Sequence, residues 1–364
     1  MVRVLELFGG IGACTNALKR LRISVEVVDY VEIDKFAVQS FNAIHGTNFE
    51  PQDIREWDKD ISVDLIMHGS PCQDFSIAGR QAGGDADSGT RSSLMYETLR
   101  IVEKLKPKYV IWENVKNILS IKHRHNFDAY HEKMRSLGYR NYYQVLNARD
   151  YGIPQNRERV FTVSIRNDIE KDFVFPEKRQ LTRFLVDILE DNPDPKYFLS
   201  DTCISSLIKH NARHEAKGTG FIWKPRNPNK YASALRANAA LAPTDNTIKV
   251  VGSLDSKGFE SARRVYDSSD ISPSINTCQG GGLQPKFDGT TNTITTVQKD
   301  NLVAENCRIR RLTPRECWRL MGFSDVDFDK ARSVCSDTQL YKQAGNSIVV
   351  NVLEAILIHL LEKK

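Results

Sequence analysis

The chain has 364 residues, 40% hydrophobic and 27% charged, with a mean hydropathy of −0.42, which is long for one domain and predicts two lobes around an ample core. No apolar run approaches the roughly 18 to 20 residues of a membrane span, and Val2 to Phe8 passes straight into a glycine turn, so neither a membrane nor a signal peptide is expected and the protein should be cytoplasmic. A net charge of +5 is mild, and seven cysteines without a Cys-x-x-Cys pair or clustered histidines argue for free thiols over a disulfide framework or a structural zinc.

Val2 to Phe8 reads as a first strand, Gly9-Gly10-Ile11-Gly12 as a tight turn, and Ala13 to Leu21 as a helix. Glycines there let the backbone approach a nucleotide-like ligand, and the helix amino terminus offers unpaired N–H groups. The fingerprint G-x-G-x-x-G is incomplete, because Thr15 stands where its third glycine would be. What is left is shared by dehydrogenases, methyltransferases and plain α/β turns. The second strand, Val25 to Val31, ends in Glu32, twenty residues beyond Gly12, where a carboxylate can accept hydrogen bonds from ribose hydroxyls. After a helix from Lys35 to about His45, Gln52-Asp53-Ile54 forms an acidic-apolar step suited to an adenine edge and face, although capping a turn is the commoner job of an isolated Asp.

The apolar run Val63-Asp64-Leu65-Ile66-Met67 predicts a buried strand closed by Gly69-Ser70-Pro71-Cys72-Gln73. A cysteine on a turn just past a buried strand stands at the mouth of a sheet, where open α/β folds keep their ligands. Such a thiol is either a nucleophile or a small buried hydrophobe. The segment from Asp74 to Ser93 is rich in Gly, Ser and Asp and predicts a loop long enough to be a functional lid. Ser92 or Ser93 caps the next helix, which ends before Pro107, and Tyr109 to Trp112 follow as a strand with Glu113-Asn114 at its tip. Glu113 is placed to face Cys72 across the strand ends, or to form an ordinary strand-end salt bridge. A helix from Asn126 to Leu137 and a strand from Tyr142 to Asn147 lead to Gln155-Asn156-Arg157-Glu158-Arg159, then a strand from Val160 to Ile165. Extended alternation puts Arg157 and Arg159 on one side, where two guanidiniums suit phosphate oxygens or a base carbonyl.

From about Phe175 the βα alternation dissolves into short Thr/Val/Ile runs with glycine turns, which predicts a second lobe of mixed or mostly β character. Its basic and amide side chains suit base and phosphate recognition, or simply a polar surface. Arg308 to Arg319 holds five arginines and one glutamate, read as a basic face for a polyanion or as a solvated one. Asn346 or Ser347 should cap a final helix whose stripe of Ile348, Val349, Val352, Leu353, Ile356, Leu357 and Leu360 must return to the first lobe's core.

Eight of these segments, in this order, resemble the motifs of the cytosine-C5 DNA methyltransferases: Phe8-Gly9-Gly10-Ile11-Gly12, Glu32, Asp53, Pro71-Cys72-Gln73, Glu113-Asn114-Val115, Gln155-x-Arg157-x-Arg159, Arg311-Leu312-Thr313-Pro314-Arg315-Glu316-Cys317 and Gly345-Asn346-Ser347. The resemblance implies an α/β fold, a Rossmann-like S-adenosylmethionine-dependent methyltransferase sheet with a smaller, mostly β target-recognition domain. It assigns residues 1–175 to the catalytic and cofactor-binding domain, 176–335 to target recognition, and 336–364 to a helix that completes the catalytic domain. It implies that Cys72 adds to C6 of a flipped-out cytosine in duplex DNA, that Glu113 contacts N3 and the 4-amino group, and that Arg157 and Arg159 hold O2 and a nearby phosphate. For S-adenosylmethionine it implies Phe8, Gly10, Gly12, Glu32, Ile33, Asp53, Ile54, Pro71, Asn346 and Ser347. For DNA it implies Ser76, Arg80 and Gln81 on the lid, with Arg80 or Gln81 filling the vacated space because Ala78 cannot hydrogen-bond. The resemblance implies a monomer, accompanied in a restriction–modification system by a cognate endonuclease. An RNA cytosine methyltransferase, an inactive DNA-binding homologue and a nicotinamide dehydrogenase are the alternatives; the long second lobe favours DNA, and the last leaves Pro71-Cys72-Gln73 unexplained.

Overall fold

The computed structural model describes residues 1–71, 94–218, 222–237, 246–250 and 308–361, together with four short strands between 252 and 286. Cys72, Ser76, Arg80 and Gln81, with the rest of the expected lid, lie outside the described residues.

The first lobe runs β1 (Val2–Leu7), α1 (Ala13–Arg20), β2 (Val25–Val31), α2 (Lys35–His45), β3 (Leu65–His68), α3 (Met95–Leu105), β4 (Tyr109–Val115), α4 (Arg124–Ser136), β5 (Tyr139–Asn147), β6 (Gln155–Asn156) and β7 (Glu158–Arg166). Six of the strands form one sheet in the order β2-β1-β3-β4-β7-β5. Its first four strands are parallel and β7 is antiparallel to both neighbours. Helices cover both faces, which is why β3 is buried at every residue and reads as a continuous apolar run. Between β1 and β3 the chain switches direction across the sheet, and that is where such folds open a crevice beyond the strand ends. The register then lines the strand tips up. Leu7 stands opposite Val31 and His68, and His68 opposite Trp112, so the turns carrying Phe8, Glu32, Gly69 and Glu113 fall on one rim.

The second lobe contains β8 (Ala232–Ser233), which pairs with β6, and the antiparallel pairs β10 (Gly252–Ser253) with β11 (Arg264–Val265) and β12 (Ser274–Thr277) with β13 (Leu283–Lys286). A further pair joins β9 (Ile248–Val250) to β14 (Arg308–Arg310). The expected β character is joined by a 17-residue helix, α5 (Asp201–Lys217), capped by the Ser200 hydroxyl and ended by Gly218 at φ 62°. Its stripe is weak in the sequence because Leu207 alone is fully buried.

The chain returns to the first lobe sooner than the expected residue 336. Helices α6 (Pro314–Arg319) and α7 (Asp325–Arg332) already share the core of β1 and α1, burying Trp318, Met321, Phe323 and Phe328. Asn16 donates to Asp327 at 3.1 Å, and Arg20 to the Gly322 carbonyl at 2.6 Å. The arginine run there is not a free basic face. Arg310, itself buried, makes a two-pronged bond to buried Glu316 at 2.8 and 2.9 Å, and Glu316 closes a capping box with Thr313 around Pro314. Arg315 pairs with Glu190 and Asp329, and Arg319 with Asp325. Arg310, Arg315 and Arg319 are thus each neutralised, two of them by a carboxylate only six residues away.

The last apolar stretch is two helices, α8 (Asp337–Asn346) and α9 (Val350–Leu361), so Asn346 ends one helix and Ser347, extended at φ −71° and ψ 161°, caps its carboxyl end. End to end, Asp337–Leu361 has the length and apolar content of a membrane-crossing helix, contrary to the expectation that no such run exists. Its apolar residues Val350, Val352, Leu353, Ile356, Leu357 and Leu360 are nevertheless buried in the core.

Candidate active site at the strand tips

On the β1–β2 side of the rim, Gly10 at φ 54° has open space where a Cβ would project, and Gly12 at φ 78° has none, because a Cβ would stand 2.4 Å from His45 Nε2. Tyr30 lies beneath the turn, its hydroxyl donating to the Gly10 carbonyl at 2.5 Å. Glu32 accepts from Gly10 N–H at 3.2 Å and from Asp34 N–H at 2.9 Å, and burial pushes its carboxyl upward. Ile33 beside it is 65% exposed, an unusual state for so apolar a side chain. An open glycine cradle, a carboxylate fixed by backbone donors and a bare apolar side chain fit the methionine, ribose and adenine parts of S-adenosylmethionine.

Thr15, the missing third glycine, has a physical explanation. Its N–H donates to Glu6 Oε1 at 2.9 Å and its hydroxyl to the same oxygen. Glu6 is buried on β1, and burial raises its carboxyl to about 7. A carboxylate of the protein itself therefore occupies the amino terminus of α1, where a pyrophosphate would otherwise sit. This arrangement removes the dehydrogenase alternative. Sequence reasoning overlooked Glu6; the signal was an acid inside an otherwise apolar strand.

At β3 and β4, Gly69 is level with Glu113, and a Cβ on Gly69 would come 3.7 Å from Glu113 Oε2 and 3.4 Å from Ile348. The cysteine-bearing turn therefore leaves the sheet directly against the carboxylate. Buried Ser70 anchors that turn by accepting the Trp112 indole N–H at 3.0 Å, and Trp112 stacks on His68, whose imidazole burial lowers to about 3 and keeps neutral. Glu113 Oε1 in turn meets Arg159 Nε at 3.0 Å, the two side chains being 11% and 19% exposed. They line a cavity with Arg157, Leu146, Ala148, Phe161 and Ile348. An acid, a guanidinium and the turn entering Cys72 thus converge.

Other expected residues lie differently. Arg157 lines the same cavity as Arg159 but is held differently: it falls in the break between β6 and β7, is buried, and donates to the carbonyls of Leu235, Gly345 and Ser347. Strict alternation fails because the Arg157 N–H turns back to the Gln155 carbonyl at 3.0 Å. Asp53 caps the Arg55 N–H and pairs with its guanidinium, which lowers its carboxyl, so turn capping is one job it performs. Ile54 packs into the core at 4% exposure instead of standing at the rim. Asn346 is exposed at the end of α8, one turn beyond Lys342, which pairs with Asp34 at 2.6 Å. Ser347 follows it with its carbonyl held by Arg157, while Pro71 stands at the end of the Gly69 turn.

A family model described as C-5 cytosine-specific DNA methylase matches residues 2–362. The chain belongs to that family. The methylase is 32% identical to the type II methyltransferase M2.ScrFI of Lactococcus lactis subsp. cremoris, the match covering 100% of both chains. It is 30% identical to the orphan methyltransferase M.SPRI of Bacillus phage SPR, over 99% of this chain and 97% of that one. With the type II methyltransferase M.HhaI of Haemophilus parahaemolyticus the identity is 31%, over 98% and 93%. Among solved structures, Dnmt2 of S. pombe superposes at a TM-score of 0.64 with 17% identity, covering 99% of this chain and 98% of that one. A DNMT2 mutant of Spodoptera frugiperda gives 0.66 with 18% identity over 100% of each chain, so the methylase has the Rossmann-like methyltransferase fold. It is a DNA (cytosine-5-)-methyltransferase that uses S-adenosylmethionine.

Proposed function

We propose that the reaction runs through Cys72, with Glu113 and Arg159 holding a cytosine rotated out of the duplex. The observation that carries this reading is the 3.0 Å Glu113–Arg159 pair set against the Gly69–Pro71 turn. A stacked base exposes neither face of C6, so unpairing, at a few kcal/mol, comes first. The Cys72 thiolate then forms a bond to C6 while Glu113 hydrogen-bonds N3 and the 4-amino group, stabilising the ring charge that develops. Arg159 orients Glu113 and reaches O2. S-adenosylmethionine supplies an electrophilic methyl group to the activated C5. The C5 proton passes to solvent, the C6–sulfur bond breaks, and Cys72 is returned.

On this reading residues 1–175 together with the carboxyl-terminal helices form the catalytic unit, and the intervening lobe selects a duplex sequence. Phe8, Gly10, Gly12, Glu32, Ile33, Asp53, Pro71, Asn346 and Ser347 surround the cofactor, and Ser76, Arg80 and Gln81 meet the DNA. The enzyme works as a cytoplasmic monomer, either beside a cognate endonuclease or as an orphan. A pool of duplexes carrying 5-fluorocytosine in all short contexts tests the chemistry, since fluorine cannot leave as a proton does. With cofactor present, the wild type should give an adduct that survives denaturation and Cys72→Ala none. No adduct from the wild type would refute the covalent route, and an adduct from tRNA alone would move the substrate to RNA.

A further inference from the structure

Arg157 lines the same cavity as Glu113 and Arg159, and its guanidinium is tied to three backbone carbonyls. Its Nη1 donates to the Leu235 carbonyl at 2.9 Å, and its Nη2 to the carbonyls of Gly345 at 3.1 Å and Ser347 at 2.9 Å. Leu235 lies two residues beyond β8 in the second lobe. There, β8 pairs with β6, and the Gln155 side chain accepts the Leu235 N–H at 3.1 Å. Gly345 and Ser347 flank Asn346 at the carboxyl end of α8, where helix carbonyls lack partners and a cation is favoured. The two segments also touch directly. A Cβ on Gly345 would stand 2.4 Å from the backbone of Arg236 and Ala237, so even a methyl group has no room.

We propose that Arg157 is a positioning residue: one guanidinium fixes the recognition-lobe segment at Leu235 to the loop at the cofactor's amino-acid end, coupling duplex binding to cofactor binding. The proposal rests on the assignment of Asn346 and Ser347 to the cofactor. A planar fork spans three carbonyls in fixed geometry, which a lysine ammonium cannot do while keeping the same charge. Displacing Leu235 therefore displaces Gly345 and Ser347, and the coupling is reciprocal by linkage.

The test compares the affinity of S-adenosylhomocysteine with and without a methylatable duplex, in the wild type, Arg157→Lys and Gly345→Ala, each verified as folded by melting. The second replacement opens the same joint from its other side and alters no charge. In the wild type, duplex should change the affinity by about fivefold or more, and in both variants by less than about twofold. The salt slope of duplex binding separates the strut from a phosphate contact. It should be unchanged in Arg157→Met, whereas loss of a phosphate contact would make it shallower by about 0.9. A wild type whose product affinity ignores duplex, variants that retain full coupling, or a shallower slope would each overturn the proposal. A wild type that methylates no duplex would instead sink the functional reading on which it rests.

Discussion

Glu113→Gln separates chemistry from architecture. The Glu113–Arg159 pair is 3.0 Å long and largely shielded. At an effective dielectric of about 20 the gross attraction is roughly 5 kcal/mol, but desolvation returns most of it, and partly exposed pairs are worth about 1 kcal/mol net. Glutamine retains an oxygen to accept from Arg159 Nε, so the stability loss should be no more than about 1 kcal/mol, a shift of at most about 2–4 °C in a chain of this size. Catalysis loses far more. An amide cannot offer N3 a proton, and positioned acids contribute on the order of 10²–10⁴ in rate, about 3–5 kcal/mol. Single-turnover transfer of a labelled methyl group to a duplex, beside a thermal melt of the same preparation, measures both quantities. If the rate stays within about fivefold of wild type, Glu113 is only a strand-end ion pair. If the melting point falls by more than about 10 °C, the lost activity reflects the fold and the reasoning fails equally.

Two further outcomes follow from groups behind the rim. Ser70→Ala leaves the buried Trp112 indole N–H without its acceptor, which should cost about 1–3 kcal/mol in urea unfolding at unchanged slope; an unmoved midpoint would mean that this bond does not hold the Cys72 turn. Glu6 titrates near 4.5 in the unfolded chain and, because of burial, at about 7 in the folded one. Below 4.5 it is protonated in both states and costs nothing; between about 4.5 and 7 the unfolded chain releases its proton first and stability falls, and above 7 the loss is constant at about 3 kcal/mol. Glu6→Gln keeps an acceptor for Thr15 and should flatten the melting profile across that window, and a slope equal to that of wild type would refute the assignment.

The strand tips were legible because the apolar runs at Val2–Leu7, Val25–Val31 and Tyr109–Trp112, and the glycine and proline turns after them, are local signals, and a doubly wound sheet adds little freedom once those are placed. What was not legible depends on groups distant in sequence. Arg315 reads as a solvent-facing cation because one of its partners, Glu190, lies more than a hundred residues away. Arg157 lines the cavity beside Arg159, but the carbonyls of Leu235, Gly345 and Ser347 that hold it are remote in the chain. Helix α5 escaped because a helix that fully buries one leucine leaves almost no stripe.

Glu6 shows why an incomplete fingerprint can be more informative than a complete one. A helix amino terminus attracts anions through its free N–H groups, and in a dinucleotide site the ligand's pyrophosphate satisfies them. Here the side chain of β1 does so at Thr15, whose hydroxyl adds a second donor to the same carboxyl oxygen. Glu6 is buried behind the turn, and Glu32 alone of the two faces the rim. Thr15→Gly should therefore weaken the hold on Glu6, lowering the urea midpoint, without creating affinity for a dinucleotide in a binding titration.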